Sequence, residues 1–580
     1  MRHFIFTVLL LFLAVRSWAA IAPATIWEIN SAGSMSSSAG FNPANAAMPT
    51  DLTTDTGTGN TASPVVSSAS YNFVAGDVNH YVYIQAGTNW IPGWYKIASV
   101  GSNKATLTAG IGAAQLTDYT DNTADGVATV ATPTGGTWAI DYSRSSTARF
   151  TGTDLACPDG DAVSPTVTSA STPFGASHVG NIIKITSGAN YTFANYEIVS
   201  VNTGTFTATL DRAVGTDGAK SSGTFFVGGA ASMLTDQTGQ YPSLNGITGG
   251  NTVWVTGTIT TSATTQSFSG TATVAAPSRL EGYKTKRGDG YLGRSGSGTL
   301  VTTNFATFSL TGVQRFSAST TNAIIKNIRI TGAVDNSVFS IASATNTMAV
   351  NISAENTSTG TSAVAIASNN TNNSILNCDA TLAGASGGSS AIKADTSIRI
   401  VGCRVRGGPA AGITVGGASQ LLNNVIFGCA GNGVTVLTTT STLTVFGNTI
   451  VNCGGNGVDV LANSTGMLSF VNNMITDCTG FGIDLNTTTV PASIIANRLR
   501  DNVAGNIGLQ SPFGNLVTYD NITTDGAAFS DYTNAGAFDF VPVAASPAVN
   551  AGLMDITIGA LQRDQTGVGG SVEKSHTFVQ

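Results

Sequence analysis

The chain has 580 residues, 42% of them apolar and only 10% charged, with a formal net charge of −7. So weak a charge excludes a nucleic-acid partner, which needs a basic stripe, and the apolar share excludes a disordered chain. Ser, Thr, Asn and Gly carry the polar surface instead.

Residues 1–20 read as a signal peptide. Arg2 and His3 precede the apolar run Phe4 to Val15, and Ser17-Trp18-Ala19 supplies residues for cleavage. That run is too short for a membrane span and no later stretch reaches eighteen apolar residues. The expectation is a secreted, cell-surface-associated protein without a membrane span.

Residues 21–227 hold a duplication. Ser63-Pro64 through Val100 aligns without a gap on Ser164-Pro165 through Val201, an offset of 101. Alternating runs such as Tyr81-Val82-Tyr83-Ile84 predict strands, so two small β modules are expected at 63–111 and 164–214. Trp27-Glu28-Ile29-Asn30, Trp138-Ala139-Ile140-Asp141 and Phe225-Phe226-Val227 bracket them and read as opening strands of a later solenoid. Trp90 and Trp94, in the densest aromatic cluster, suit either sugar stacking or packing between modules. His80 and His178 are not equivalent in the alignment and read as loop residues, not ligands. Residues 228–250 form a Gly, Ser and Thr-rich connector.

From 251 to 525 a short period takes over. Asn327, Asn351, Cys378, Cys403, Asn424, Asn448, Asn473 and Asn497 are separated by 24, 27, 25, 21, 24, 25 and 24 residues, and Asn521 extends the row. Cys429, Cys453 and Cys478, followed by Asn502, make a second row, and a glycine-led strand such as Gly457-Val458-Asp459-Val460 comes next. One polar position recurring every two dozen residues among apolar neighbours predicts stacked coils, in which each buried amide bonds the next and escapes the cost of burial alone. The fold class is all-β, a β-solenoid. The cysteines are small buried fillers, expected free because stacked parallel side chains do not give bridge geometry. Residues 526–580 form a closing segment.

Alternation sends Val458 and Val460 inward and Asp459 outward, with Asp484 on the next coil. The outward column reads Ser340, Ala365, Lys393, Thr414, Thr435, Asp459, Asp484 and Gly508. Two stacked carboxylates suit a solvated surface pair, a calcium or sugar contact, or a glycosidase pair; Lys393, three coils off, is a further candidate for substrate contact. No cofactor other than calcium is suggested. Arg404, Arg406, Arg498 and Arg500 are expected to face outward, and Arg287-Gly288-Asp289 spells an integrin tripeptide.

The repeat Gly447-Asn448-Thr449-Ile450-Val451-Asn452-Cys453-Gly454-Gly455-Asn456-Gly457-Val458-Asp459-Val460 resembles that of the right-handed parallel β-helix, or pectate-lyase-like, superfamily. The closing stretch Ala545-Ser546-Pro547-Ala548-Val549-Asn550-Ala551-Gly552 is similar to the end of secreted bacterial choice-of-anchor Q proteins. The resemblance implies a right-handed coil and leaves function open. The Asn-Thr-Asp, Gly-His-Gly and Arg-Ile-Lys signatures of polygalacturonase-like sites are missing. A non-catalytic surface, matrix or adhesion protein, contacting polysaccharide or neighbouring copies, is therefore favoured over a polysaccharide lyase or glycoside hydrolase built around Asp459 and Asp484.

Overall fold

The computed structural model describes residues 25–37, 40–46, 48–55, 63–90, 92–108, 133–216, 218–235, 247–261, 265–284, 287–295, 298–311, 314–384, 390–394, 396–437, 442–461, 466–486, 491–509, 516–519 and 521, and the backbone of 532–534 and 539–542. The expected signal peptide and, apart from those last two strands, the closing segment lie outside them. The chain divides into two compact units, 1–255 with 269–279, and 256–268 with 280–580.

In the first unit each module is a ring of six antiparallel strands. The first ring runs Thr53–Thr54, Val65–Ser67, Lys104–Leu107, Gly93–Gly101, Tyr81–Thr88, Thr134–Asp141, and a bridge from Leu52 to Gly136 closes it. The second runs Phe150–Cys157, Lys220–Val227, Ile182–Ala189, Ala194–Asn202, Thr207–Leu210, Thr166–Val167, closed by a bridge from Ala156 to Thr168. A ring this small is filled by its own side chains. Val82, Ile84, Tyr95, Ile97, Trp138 and Ile140 fill one; Ile183, Ile185, Tyr196, Ile198, Phe225 and Val227 fill the other.

The strands Trp138–Asp141 and Phe225–Val227 are thus the closing strands of the rings, paired with Tyr81–Ile84 and Ile183–Ile185, and not the openings of a solenoid. The modules accordingly extend beyond 63–111 and 164–214. The alignment missed their edges because the first and last strands of each copy share pairing and not sequence. An aspartate anchors the same turn in each: Asp51 accepts from Ser68 Oγ at 2.9 Å and the Ser70 amide at 2.7 Å, Asp154 from Ser169 Oγ at 2.7 Å and the Ser171 amide at 2.8 Å. Desolvation opposes them, but these bonds, preceded at Asp51 by the one from Trp138 Nε1 at 3.1 Å, hold both carboxyls down at about 2.

In the second unit each coil gives one strand to each of three parallel sheets. The first face runs from Ala323–Lys326 to Leu516–Tyr519, the second from Thr258–Thr261 to Arg498–Arg500, and the third from Gln266–Phe268 to Gly505–Leu509. Ile375, Ile400, Leu421, Val445, Phe470 and Ile494 stack inward on the first face, all fully buried. On the third face Gly412, Gly433 and Gly457 leave room for Ile426, Ile450 and Ile475, which stand where a Cβ would lie.

From Ala323 on, the corner between the first and second faces is a left-handed residue in each described coil: Asn327, Asn351, Asn377, Gly402, Asn423, Gly447, Asn472 and Ala496, with φ between 52° and 65°. Gly and Asn tolerate that region; Ala does so at a cost. The next residue points inward, and there Cys378, Cys403, Asn424, Asn448, Asn473, Asn497 and Asn521 form the inner column. Each Asn in it accepts, on Oδ1, the backbone amide of the coil before: Cys403 to Asn424, Asn424 to Asn448, Asn448 to Asn473, Asn473 to Asn497, each at 2.9 Å. The Nδ2 of Asn424, Asn448 and Asn473 donates onward to the next Oδ1 at 2.9–3.0 Å.

The single predicted row is therefore two adjacent columns. Asn327 and Asn351 belong to the corner column, where Asn351 Nδ2 donates to Asn327 Oδ1 at 3.0 Å and Asn377 Nδ2 to Asn351 Oδ1 at 2.6 Å. The 27-residue step from Asn351 to Cys378 crosses between the columns; Asn377 is the in-column neighbour. Cys429, Cys453 and Cys478 begin the third side of their coils, and the Cys478 amide donates to Asn502 Oδ1 at 3.1 Å. All six cysteines are free and buried.

Candidate functional site

The outward column of the third face runs Ser317, Ser340, Ala367, Lys393, Thr414, Thr435, Asp459, Asp484, Gly508. Ala367 stands where Ala365 was expected. With Ala365 and Ala367 both in the strand Val364–Ser368 and Ala363 just before it, side-chain character gives no register, and only the pleat decides. Lys393 is exposed and three coils from Asp459, roughly 14 Å at strand spacing. The two do not share a site.

Asp459 and Asp484 are neighbours across the sheet, while Val458, Val460, Ile483 and Leu485 beside them face the core fully buried. Little of either carboxylate reaches water, however: Asp459 is 8% exposed and Asp484 6%. Three asparagines close over them. Asn432 Nδ2 donates to Asp459 Oδ2 at 2.9 Å, Asn456 Nδ2 to Asp484 Oδ2 at 3.0 Å, and Asn486 Nδ2 to Asp459 Oδ1 at 2.8 Å and Asp484 Oδ2 at 3.3 Å. Asn432 and Asn456 are themselves stacked, since Asn432 Oδ1 accepts the Asn456 amide and Asn456 Oδ1 the Phe481 amide, both at 2.8 Å. Burial first, and then the charge of Asp484, push the Asp459 carboxyl upward, against the three amides that hold it down. No cation enters that balance, and neither aspartate forms an ion pair among the described residues.

These asparagines escaped the sequence reading. The signal was present: Asn432 and Asn456 recur 24 apart, each three residues before its column position, and Phe481 breaks the series. For calcium the pair is poor. Both Asp459 oxygens are occupied, only Asp484 Oδ1 lacks a partner, and no group of three or more His, Cys, Asp or Glu among the described residues could hold a metal ion.

The remaining candidates disperse. Trp90 is a core residue, 6% exposed, whose ring lies against Gly87 and Gly136. Tyr191 fills the same place beside Gly188 and Gly223 in the second ring, so packing claims the position and no face of Trp90 is left for a sugar. Trp94 is half-buried, stacked on Tyr83 with ring centres 4.3 Å apart, its Nε1 donating to Asp141 Oδ2 at 3.1 Å. His80 and His178, read as loop residues, are buried. Desolvation outweighs every other influence and depresses both imidazoles to about 4. Arg404 lies over the Phe427 ring at 4.8 Å, Arg406 is exposed, and Arg500 pairs with Asp501 at 2.6 Å. Arg498 is fully enclosed instead of facing outward. Arg287 is buried and Asp289 Oδ1 accepts the Lys284 amide at 2.8 Å, which leaves the integrin tripeptide without an exposed arginine.

Residues 381–499 match the sequence family described as "Right handed beta helix region". No curated protein matches the chain. Among solved structures, the crystal structure of pectate lyase Pel9A is 15% identical with a TM-score of 0.38, over 55% of this chain and 89% of that one. The periplasmic alginate epimerase AlgG is 10% identical with a TM-score of 0.24, over 48% and 76%. The catalytic unit of a thermostable GH87 alpha-1,3-glucanase from Streptomyces thermodiastaticus is 12% identical with a TM-score of 0.24, over 65% and 88%. The coils form a parallel β-helix, and the matched residues 381–499 give it the right hand. No described helix is long and apolar enough to cross a membrane.

Proposed function

We propose that this is an exported β-helix protein that contacts polysaccharide without turning it over, serving as a surface, matrix or adhesion component. One observation carries the reading. The stacked carboxylates of the third face, Asp459 and Asp484, are covered by Asn432, Asn456 and Asn486, with no Arg or Lys paired to them among the described residues. A glycosidase pair must reach the glycosidic oxygen and the anomeric carbon, and a lyase needs a base and charge neutralisation beside a bound uronate. The covered pair supplies neither. On the first face the outward column of Ser374, Arg399, Gln420, Thr444, Ser469 and Ser493 is mostly hydroxyl and amide, suited to hydrogen bonding with sugars.

The enzymatic alternative keeps one support, the upward shift of the Asp459 carboxyl, because catalytic carboxyls are often held protonated in this way. Purified full-length protein incubated with uronate polymers and with glucans separates the two. The expected result is retention of the protein on polysaccharide with neither unsaturated ends nor new reducing ends. Turnover that disappears in Asp459→Ala or Asp484→Ala would overturn it.

A further inference from the structure

Two adjoining cavities open on the first unit, of about 370 Å³ and 260 Å³, and share Asn79, Ser145 and Ser146. The larger is lined by His80 and Arg149, the smaller by Lys96 and Arg144, and no acidic residue lines either. In a chain with a negative net charge and few cations, three basic side chains and an imidazole around one trough call for a reason.

Arg149 is held at one end only. Its Nε donates to Asp77 Oδ1 at 3.1 Å, and its guanidinium lies 4.2 Å from the Phe150 ring centre, over Gly76, where a Cβ would displace it. Its two Nη atoms have no hydrogen-bond partner among the described residues. A guanidinium fixed through Nε with its fork free is preorganised for a two-oxygen anion. His80 is 2% exposed and its Nδ1 has no partner. Lys96 has no ion pair among the described residues, and burial and then Arg144 push its amine downward. An anion bound here would relieve that crowding.

We propose that the trough is an oxyanion site for the carboxylate or sulfate of an acidic saccharide, with the Arg149 fork as its principal contact and Lys96 and Arg144 flanking it. The Ser145, Ser146 and Asn79 side chains line the same trough and suit sugar hydroxyls. Only the choice of a saccharide rests on the function proposed above; the anion site does not.

Calorimetric titration of the full chain tests it with four probes: a uronate oligosaccharide, a sulfated oligosaccharide, a neutral oligosaccharide and inorganic sulfate. The acidic saccharides should bind more tightly than inorganic sulfate and weaken with salt. Lys96→Ala and Arg144→Ala should each weaken them by about tenfold, the usual loss for one charged hydrogen bond. Arg149→Gln should abolish binding, and Arg149→Lys, which keeps the charge and loses the fork, should recover it only in part. Thermal melts of the Arg149 variants, whose Asp77 pair is also changed, check that the ring is intact. Undiminished binding in Lys96→Ala and Arg144→Ala would overturn the site while leaving glycan contact standing. Binding of inorganic sulfate alone, lost in these variants, would keep the anion site and overturn its saccharide assignment.

Discussion

In the coils, a position lies against its own repeat: Asn448 meets Asn424 on one side and Asn473 on the other, through bonds of 2.9–3.0 Å. In the rings, equivalent positions belong to separate cores and diverge. Asp77 caps its turn by accepting the Val74 amide at 2.9 Å, while His178 does the same work for the Gly175 amide at 3.0 Å. Trp90 is exchanged for Tyr191, and His80 for Asn181. Stacking makes each residue the environment of its own copy, so only types that satisfy themselves persist along a column. Closure into a ring frees each copy to acquire chemistry of its own, and the basic trough lies on one ring and the segment after it.

The comparison breaks first at the inner column. Asn448→Leu removes the acceptor of the Asn424 amide and side chain and the donor to Leu421 O at 2.8 Å. With each orphaned group worth about 1–3 kcal/mol, the loss should be near 4 kcal/mol. Asp459→Ala frees two amide donors at the rim of the coil and should cost about 1 kcal/mol. Thermal melts of the two variants decide it, and equal losses would undo the distinction between inner column and outer pair.

The rings are sharpened by acid. An unfolded histidine titrates near 6.5, whereas burial holds His80 and His178 at about 4, so between those values the unfolded chain binds more protons. Stability is then full above pH 6.5 and falls as pH drops toward 4, by about 1.4 kcal/mol per unit for each histidine. His80→Asn installs the second copy's residue and His178→Asp the first copy's. Urea unfolding across this range should show each substitution removing about half of the slope, and an unchanged slope would place the proton uptake elsewhere.

The smallest effect lies at Ala496, the one described corner residue that is neither Gly nor Asn. Its φ of 53° costs an L-residue about 1–2 kcal/mol, partly offset on replacement by glycine's unfolded-state entropy, so Ala496→Gly should stabilise by about 0.5 kcal/mol. A higher melting temperature is expected; a lower one would mean that packing of the Ala496 methyl outweighs backbone strain.

Periodicity exposed the solenoid in the sequence because a stack repeats its solution to polar burial. It exposed the inner column from Asn424 onward for the same reason, and blurred it at Asn351, where two Asn-tolerant columns adjoin and spacing alone distinguishes them. The alanines around Ala365 hid the register of the third face. The closing of Asp459 and Asp484 was hidden more deeply, since it depends on amides from the coils on either side. In the first unit the offset of 101 located the duplication, but ring closure joins strands such as Phe150–Cys157 and Lys220–Val227 that share no motif.

Coil length varies, yet the columns do not shift. The chain passes from the third face to the first through residues 416–419 in one coil and 461–467 in another, while from Ala323 on each described passage from the first face to the second turns on a single left-handed residue. Variation in length is discharged at this seam and at the passage from the second face to the third, which takes residues 408–410 in one coil and 357–363 in another, both clear of the corner and inner columns. A foreign peptide grafted between Val460 and Leu468 should therefore leave the winding intact, making that seam the natural place to lengthen, label or decorate the protein.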